Sequence, residues 1–157
     1  MDNNDFLRRL RYALNIQDAY MVSCFKEGGA DVSASELKSL FLREEDDEFL
    51  PCTSRQLEQF LDGLILLKRG PRKEGSKPPP ATRLTNNLLL KKIRIALEFK
   101  EEDMLEILKL GEFPLSKAEL SALFRKEGHK HYMDCGDQIL KRFLKGLPLY
   151  LKTSTSK

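Results

Sequence analysis

The feature that most constrains this chain of 157 residues is an internal duplication. A shift of 83 residues aligns residues 3–66 with residues 86–149 without a gap, and about a third of the aligned positions are identical. Most differences at apolar positions keep an apolar residue. Because chance does not produce such agreement over this length, the chain consists of two copies of one structural unit.

The two copies are separated by a segment that differs from both in composition. Residues 71–85 contain four of the seven prolines and no large apolar residue before Leu84. The three successive prolines from Pro78 to Pro80 favour an extended chain and cannot continue a helix. We therefore predict copy one at residues 1–70, a basic Pro-rich linker at residues 71–85, copy two at residues 86–152 and a C-terminal tail at residues 153–157.

Each copy contains four segments with the period of an amphipathic helix, and neither contains a long period-two pattern. The clearest start signals are the S-x-x-E capping boxes at Ser33 and Ser116. The pattern predicts an all-α fold, in which two tandem copies of a four-helix unit are joined by the linker. The helices with the best-defined bounds are predicted at residues 4–14, 54–67, 87–97, 101–110 and 137–147, with Asn3 or Asn4 as the first N-cap.

A unit of about 65 residues buries only about 60% of the surface of its unfolded chain and is marginally stable alone. We therefore expect the copies to pack together, either within one chain about a pseudo-two-fold axis or by exchange between chains. Gly63 and Gly146 occupy equivalent places inside the fourth helix, where a glycine costs about 1 kcal/mol relative to alanine. Their recurrence predicts a close approach between helices.

The two copies differ most in charge. Residues 1–70 carry 9 bases and 13 acids, whereas residues 86–157 carry 14 bases and 10 acids. The loop after the third helix has five consecutive acids, Glu44 to Glu48, in copy one, but bases and both histidines in copy two. We predict a recognition surface at the copy-two loop, formed by Arg125, Lys126, His129, Lys130, His131 and Tyr132 and flanked by Lys141 and Arg142.

Three interpretations of these loops are open. They are solvated loops of opposite charge, or the acidic loop of one molecule meets the basic loop of another in a dimer, or the basic loop and the linker contact a polyanion such as RNA. The bases are interleaved with acids, and Tyr132 is the only aromatic residue inside the basic loop, so nucleic acid is not favoured.

A second basic feature recurs in both copies. Arg8 and Arg11 lie three residues apart on one face of the first helix, and Lys91 and Arg94 repeat the pair in copy two. These faces predict either a two-fold pair of anion-binding sites or an ordinary polar side of a helix.

The sequence contains no recognisable catalytic constellation. It lacks a G-x-S-x-G motif, a glycine-rich phosphate loop and a cysteine signature with an adjacent base. His129, His131 and Cys135 form the one grouping that resembles metal ligands. Cys135 matches Cys52, whose copy has no histidine, so a shared packing role is favoured for both cysteines. We predict no catalytic residue, no metal and no cofactor.

The chain lacks the apolar run of roughly 18 residues that a membrane helix needs, and its first five residues lack the pattern of a signal peptide. Its three cysteines form no C-x-x-C motif, which suits a reducing compartment. We expect a cytoplasmic protein without a membrane partner.

Three stretches resemble the bacterial YehS-like family, a tandem-repeat domain of unknown function. They are the repeated N-N-x-x-L-x-x-x-R-x-A-L motif, K-R-G at Lys68 to Gly70, and L-F-R-K-E-G-H-K-H-Y-M-D-C-G-D-Q-I-L-K-R-F-L-K-G-L at Leu123 to Leu147. The resemblance covers nearly the whole chain and implies a small intracellular bacterial protein with two all-helical copies. It implies no activity, substrate or catalytic residue.

From the residues and the resemblance we expect a non-enzymatic binding or scaffold module with a charge-polarised surface, whose partner is a second copy or another protein. The alternative is a nucleic-acid-associated regulator that uses the basic copy-two loop and the linker.

Overall fold

The structure is a computed structural model that describes residues 1–71 and 83–155, so most of the predicted linker lies outside the described residues. The described residues form eight helices and no strand, which confirms the all-α class. In chain order the helices are α1 (Asn3–Leu14), α2 (Asp18–Glu27), α3 (Ala34–Leu40), α4 (Ser54–Arg69), α5 (Asn86–Leu97), α6 (Glu101–Leu110), α7 (Lys117–Leu123) and α8 (Asp137–Thr155). Over these same ranges, no helix has the length and apolar composition needed to cross a membrane.

The two copies pack against each other within one chain. Helix α4 lies against α5, and helix α8 lies against α1. Exchange of the copies therefore maps one contact onto the other, as a pseudo-two-fold axis requires. The buried apolar residues of both copies belong to one continuous core. Of the two predicted arrangements, the structure adopts packing within the chain.

Within each copy, the second and fourth helices approach closely because a glycine lies at their contact. A Cβ atom added to Gly63 of α4 would lie 1.6 Å from the carbonyl oxygen of Cys24 in α2. A Cβ atom added to Gly146 of α8 would lie 1.9 Å from the carbonyl oxygen of Ile107 in α6. No side chain fits at such distances, so the predicted packing role of the two glycines is confirmed.

The predicted N-caps are correct for the third helix of each copy and wrong for α1. The predicted capping boxes at Ser33 and Ser116 are both present, since each serine oxygen accepts from the N–H three residues on. The prediction that Asn3 or Asn4 caps α1 is wrong. Asp2 is the N-cap, and its carboxylate accepts from the backbone N–H of Asp5 at 2.8 Å.

Asn4 instead links the first helix to the loop between α3 and α4 through three side-chain hydrogen bonds. Its side-chain amide donates to the carbonyl oxygens of Leu40 and Leu50, and its side-chain oxygen accepts from the N–H of Cys52 at 2.9 Å. Asn87 makes the same three bonds in copy two, to the counterparts Leu123, Met133 and Cys135. Asn4 is buried, with 6% exposure, and its amide group satisfies backbone groups at the end of α3 and in the loop that have no partner in regular structure.

Helix α8 runs well beyond the predicted end at Leu147, through Pro148 and into the predicted tail. An internal proline removes one N–H and costs about 3 kcal/mol in a helix. Tertiary contacts offset this cost. The ring of Tyr150 lies edge-on to Phe99, with centroids 5.7 Å apart, and its hydroxyl donates to Asp103.

Candidate functional site

The loop predicted as a recognition surface connects α7 to α8 and lies mostly in solvent. Part of the predicted set lines one shallow pocket of about 580 Å³ together with Lys117 and Glu119: Arg125, Lys130, His131 and Tyr132. His129 does not line the pocket, but its Nδ1 accepts from the backbone N–H of His131 at 3.0 Å. The structure thus gathers half of the predicted residues around a surface that also contains a carboxylate.

Lys141 and Arg142 lie on α8 and are not among the described residues that line this pocket. Arg142 instead pairs with Glu112 at 3.4 Å, and Lys145 pairs with the same carboxylate at 2.8 Å. The hydrogen bond from Lys145, with the positive charges of both bases, holds the pKa of Glu112 below its ordinary value. Arg142 is therefore engaged in a separate ion-pair cluster.

The residues considered as metal ligands do not converge. Among the described residues, no three His, Cys, Asp or Glu side chains are placed to hold one metal ion. Cys135 is only 5% exposed, and burial raises the pKa of its thiol to about 12, whereas the thiolate is the form that binds a metal. Cys52 is equally buried in copy one, so the predicted packing role of the two cysteines is confirmed.

The basic face of α1 borders a deeper concavity, which we call the copy-one cleft. It has a volume of about 1010 Å³ and lies where the C-terminal ends of α1, α4 and α5 meet the last turns of α8. Its lining consists of four bases (Arg8, Arg11, Lys68 and Lys152), Asn15, and the apolar or aromatic residues Tyr12, Ala13, Leu14, Ile16, Phe41, Leu97, Pro148 and Leu151. No Asp or Glu is found among the described residues of this lining.

The end of α1 determines how the cleft presents its polar groups. The guanidinium of Arg11 lies 4.8 Å from the ring centroid of Phe41, within the range of a cation–π contact. Asn15 ends the helix in the left-handed conformation at φ 52°. Between them, Tyr12 is 75% exposed, which is high for an aromatic ring. The cleft therefore combines fixed positive charge with an unpartnered aromatic face.

Copy two contains a smaller counterpart, which we call the copy-two cleft, with a volume of about 470 Å³. Each of its seven lining residues is the 83-residue counterpart of a residue that lines the copy-one cleft. The pairs are Lys91/Arg8, Arg94/Arg11, Ile95/Tyr12, Glu98/Asn15, Phe99/Ile16, Phe124/Phe41 and Arg69/Lys152. The two basic helix faces found in the sequence thus lie in two related clefts.

The copy-two cleft contains an acid where the copy-one cleft has none. Glu98 ends α5 in the left-handed conformation at φ 56°, as Asn15 ends α1. Its carboxylate pairs with Arg69, which lines the same cleft. The positive charge of the copy-two cleft is therefore partly neutralised from within.

The contacts that join the copies differ in the same sense. Between α4 and α5, Lys92 pairs with Asp62 at 2.5 Å, and only 9% of the Lys92 side chain is exposed. The counterparts between α8 and α1 are Lys145 and Arg9, two exposed bases that cannot pair with each other. The Asp62–Lys92 ion pair therefore joins α4 to α5, whereas Lys145, the counterpart of Asp62, pairs with Glu112 of its own copy.

Several residues of the copy-one cleft were not anticipated from the sequence. Arg8 and Arg11 were singled out by their recurrence, and the exposed Tyr12 beside them is an apolar residue on an otherwise polar face. Lys68 and Lys152 come from helices far away along the chain, so no local pattern could have assigned them to this cleft.

Comparison with known proteins agrees with the duplication. A family model described as a protein of unknown function (DUF1456) matches residues 3–70 and again residues 86–152. The chain is 39% identical over 148 residues to the uncharacterized protein YehS of Escherichia coli (strain K12), and the match covers 94% of each chain. No solved structure matches. The resemblance noted in the sequence is thereby confirmed, and the chain belongs to the YehS-like DUF1456 family of proteins of unknown function.

Proposed function

We propose that the protein is a non-enzymatic binding module and that the copy-one cleft is its recognition site for an anionic group. The observation that carries this proposal is the lining of the cleft, which has four bases and no carboxylate among the described residues. A concave surface lined by one sign of charge concentrates the electrostatic field and attracts ligands of the opposite sign.

The existing ion pairs leave the two arginines able to bind a ligand. Arg8 donates from Nη1 to Asp5 at 2.8 Å, and Arg11 pairs with Asp18. Both carboxylates lie outside the cleft lining. Since a guanidinium has five N–H donors, each arginine has further donors for a carboxylate, sulfonate or phosphate.

The chemistry of the cleft supports binding rather than catalysis. The described lining contains no His, Cys, Asp, Glu or Ser, and its titratable side chains are those of Arg8, Arg11, Tyr12, Lys68 and Lys152. The thiols of Cys24, Cys52 and Cys135 are buried elsewhere, and burial raises their pKa values to about 12, 11 and 12.

Charge reversal in the cleft tests the proposal. Isothermal titration at low salt would use pyrophosphate, anilinonaphthalene sulfonate and a short single-stranded DNA as anionic probes. We expect the wild type to bind at least one probe, and the double variant Arg8→Glu/Lys68→Glu to weaken that binding roughly tenfold or more through like-charge repulsion. The matched control is Lys26→Glu/Lys38→Glu, which makes the same charge change at exposed positions of copy one outside the cleft.

Two results would contradict the proposal. The first is that none of the probes binds. The second is that the Arg8→Glu/Lys68→Glu variant binds every probe as the wild type does, whereas Lys126→Glu/Lys130→Glu abolishes binding; the recognition site would then be the copy-two loop.

The second candidate function is a nucleic-acid-associated regulator. The observation in its favour is that Arg125, Lys130 and His131 line one pocket beside the ring of Tyr132, where a base could stack. Retention of mixed RNA at low salt that is lost in Lys130→Glu and in Tyr132→Ala would support it. Equal retention by both variants would exclude this surface.

We also propose a cytoplasmic location and a homodimer in which the acidic loop of one molecule meets the basic loop of its partner. Two observations support these proposals: all three cysteines are unpaired and buried, and Glu44 to Glu48 are exposed. Sedimentation at low and high salt tests the dimer, which should dissociate as salt screens the loops. A monomer at every salt concentration would contradict it.

A further inference from the structure

We infer that the copy-one cleft takes one small amphiphilic anion per chain, an organic carboxylate, sulfonate or phosphate with a flat apolar body, and that Glu98 closes the copy-two cleft to the same ligand. The inference rests on the proposed function and adds to it the class of ligand and the stoichiometry.

The walls of the cleft require an apolar body. Leu14, Ile16, Leu97, Pro148 and Leu151 line it, and all five are partly exposed to solvent. A bare inorganic anion would leave these surfaces in water, whereas an apolar group that covers them removes apolar area from water, which favours binding. The ligand that fits both the bases and the walls therefore has an anionic group on an apolar skeleton.

The size of the cleft favours a small molecule over an extended strand. Its volume of about 1010 Å³ is at the upper end of the range of roughly 300–1,000 Å³ for small-molecule sites. Its bases surround one concavity, whereas a single-stranded nucleic acid needs a groove that follows several phosphates.

Tyr12 favours a flat ligand. Three quarters of its surface is exposed beside Arg8 and Arg11, so the ring offers a face on which an aromatic group can stack while the guanidinium groups bind the anion. The counterpart in copy two is Ile95, which has no such face.

The copy-two cleft acts as an internal comparison for the role of charge. It retains the bases Arg69, Lys91 and Arg94, but the carboxylate of Glu98 pairs with Arg69 inside it. To bind Arg69, an anionic ligand would have to break its ion pair with Glu98, and the ligand would then lie close to the negative charge of Glu98. Asn15 presents no charge at the same backbone position, and the carboxylates that pair with Arg8 and Arg11 lie outside the lining of the copy-one cleft, so this cleft is the more open of the two to an anion.

The test compares the binding of two aromatic probes, one with a sulfonate and one without, to the full-length chain. Anilinonaphthalene sulfonate has a sulfonate on a flat aromatic body, and N-phenylnaphthylamine is the same body without it. We expect the wild type to bind one equivalent of the sulfonate, and to bind the neutral probe and pyrophosphate roughly tenfold more weakly or worse. Fluorescence titration gives affinity and stoichiometry for the aromatic probes, and calorimetry gives them for pyrophosphate.

Exchange of the two cap residues tests the closing role of Glu98. Asn15→Glu should weaken the sulfonate probe roughly tenfold, and Glu98→Asn should add a second, weaker site in the smaller copy-two cleft, which has Ile95 in place of Tyr12. Both positions are left-handed, at φ 52° and φ 56°, where asparagine is more favourable than glutamate, so Glu98→Asn relieves backbone strain and Asn15→Glu adds some, in a conformation that Glu98 already adopts. Circular dichroism confirms that each variant folds.

The outcomes separate the inference from the proposed function. If Arg8→Glu/Lys68→Glu weakens binding but pyrophosphate or single-stranded DNA binds more tightly than the sulfonate probe, the proposed function stands and the ligand class is wrong. If Glu98→Asn still binds one equivalent, the closing role of Glu98 is wrong. If Arg8→Glu/Lys68→Glu changes nothing for any probe, the proposed function itself fails.

Discussion

The two contacts between the copies have the same backbone arrangement and different electrostatics. At the α4–α5 contact, Asp62 and Lys92 pair with little exposure to solvent. At the α8–α1 contact, both counterparts are exposed bases, Lys145 and Arg9. The wider cleft lies on the side that lacks a counterpart of the Asp62–Lys92 pair. Two duplicated surfaces with the same backbone arrangement are therefore unequal because the charges at equivalent positions differ.

The same asymmetry extends from the contacts to the clefts. Cation–π contacts of 4.8 Å recur in both copies, from Arg11 to Phe41 and from Arg94 to Phe124. The acid at Glu98 has no counterpart in copy one. The duplicated scaffold is therefore expected to respond equally to substitution in both copies, whereas the charged positions are expected to respond unequally.

The largest effect is expected at the glycines of the helix contacts. Gly63→Ala and Gly146→Ala should each lower the free energy of unfolding by about 3 kcal/mol or more, since the added Cβ would meet backbone that cannot move aside. Urea denaturation followed by circular dichroism measures both. A small effect in only one copy would show that the two scaffolds are not equivalent.

The next largest effect is expected at Asn4 and Asn87, which hydrogen-bond the α3–α4 loop and the α7–α8 loop. Asn4→Ala and Asn87→Ala each leave two carbonyl groups and one N–H without their partner. We expect a loss of about 2–3 kcal/mol in each copy, the cost of unsatisfied buried polar groups. Asn3→Ala is the matched control, because Asn3 is more exposed and only donates, and its effect should be smaller.

A moderate and unequal effect is expected at the charged contacts. Lys92→Ala leaves Asp62 without its partner and should cost about 2 kcal/mol, less than a fully buried pair because Asp62 is partly exposed. Arg9→Ala, the matched change in copy one, should stay within about 0.5 kcal/mol. Thermal unfolding of both variants measures the difference, and equal losses would refute the electrostatic account of the asymmetry.

The smallest effect is expected from the thiols. Burial raises the pKa of Cys52 to about 11 and that of Cys135 to about 12, above the value near 8.5 in an unfolded chain. Their contribution to stability is therefore complete below pH 8.5 and is lost as the pH rises toward 11–12. Ellman's reagent at pH 8 should label none of the three buried thiols in the folded protein and all three, those of Cys24, Cys52 and Cys135, after unfolding. Rapid labelling of one thiol alone would reveal local opening in that copy.

Local signals predicted the scaffold well because they act over a few residues. The capping boxes at Ser33 and Ser116 and the glycines at positions 63 and 146 need only a helix and its nearest neighbour. The N-cap of α1 was misassigned because Asn4 and Asp2 are both good caps. Asn4 is not the cap because its side chain hydrogen-bonds the carbonyl oxygens of Leu40 and Leu50, which are far away along the chain.

The candidate site was predicted in part. The recurrence of Arg8 and Arg11 identified one wall of the copy-one cleft. The opposite wall comes from α4, α5 and α8, and the predicted helix at residues 137–147 ended before Leu151 and Lys152, which line that wall. The copy-two loop was predicted as a recognition surface from its composition alone. Composition does not show that Arg142 pairs with Glu112, away from the loop.

Helix periodicity, caps and the 83-residue register are local or linear features of the chain, and they establish a tandem pair of helical units with opposite net charge. Which charges face one another across the pseudo-two-fold axis follows from the packing of the helices and not from the sequence pattern. That pairing depends on how α1 and α5 meet α8 and α4. The sequence repeat alone does not show that Asp62 and Lys92 pair at the α4–α5 contact, whereas their counterparts Lys145 and Arg9 are both bases.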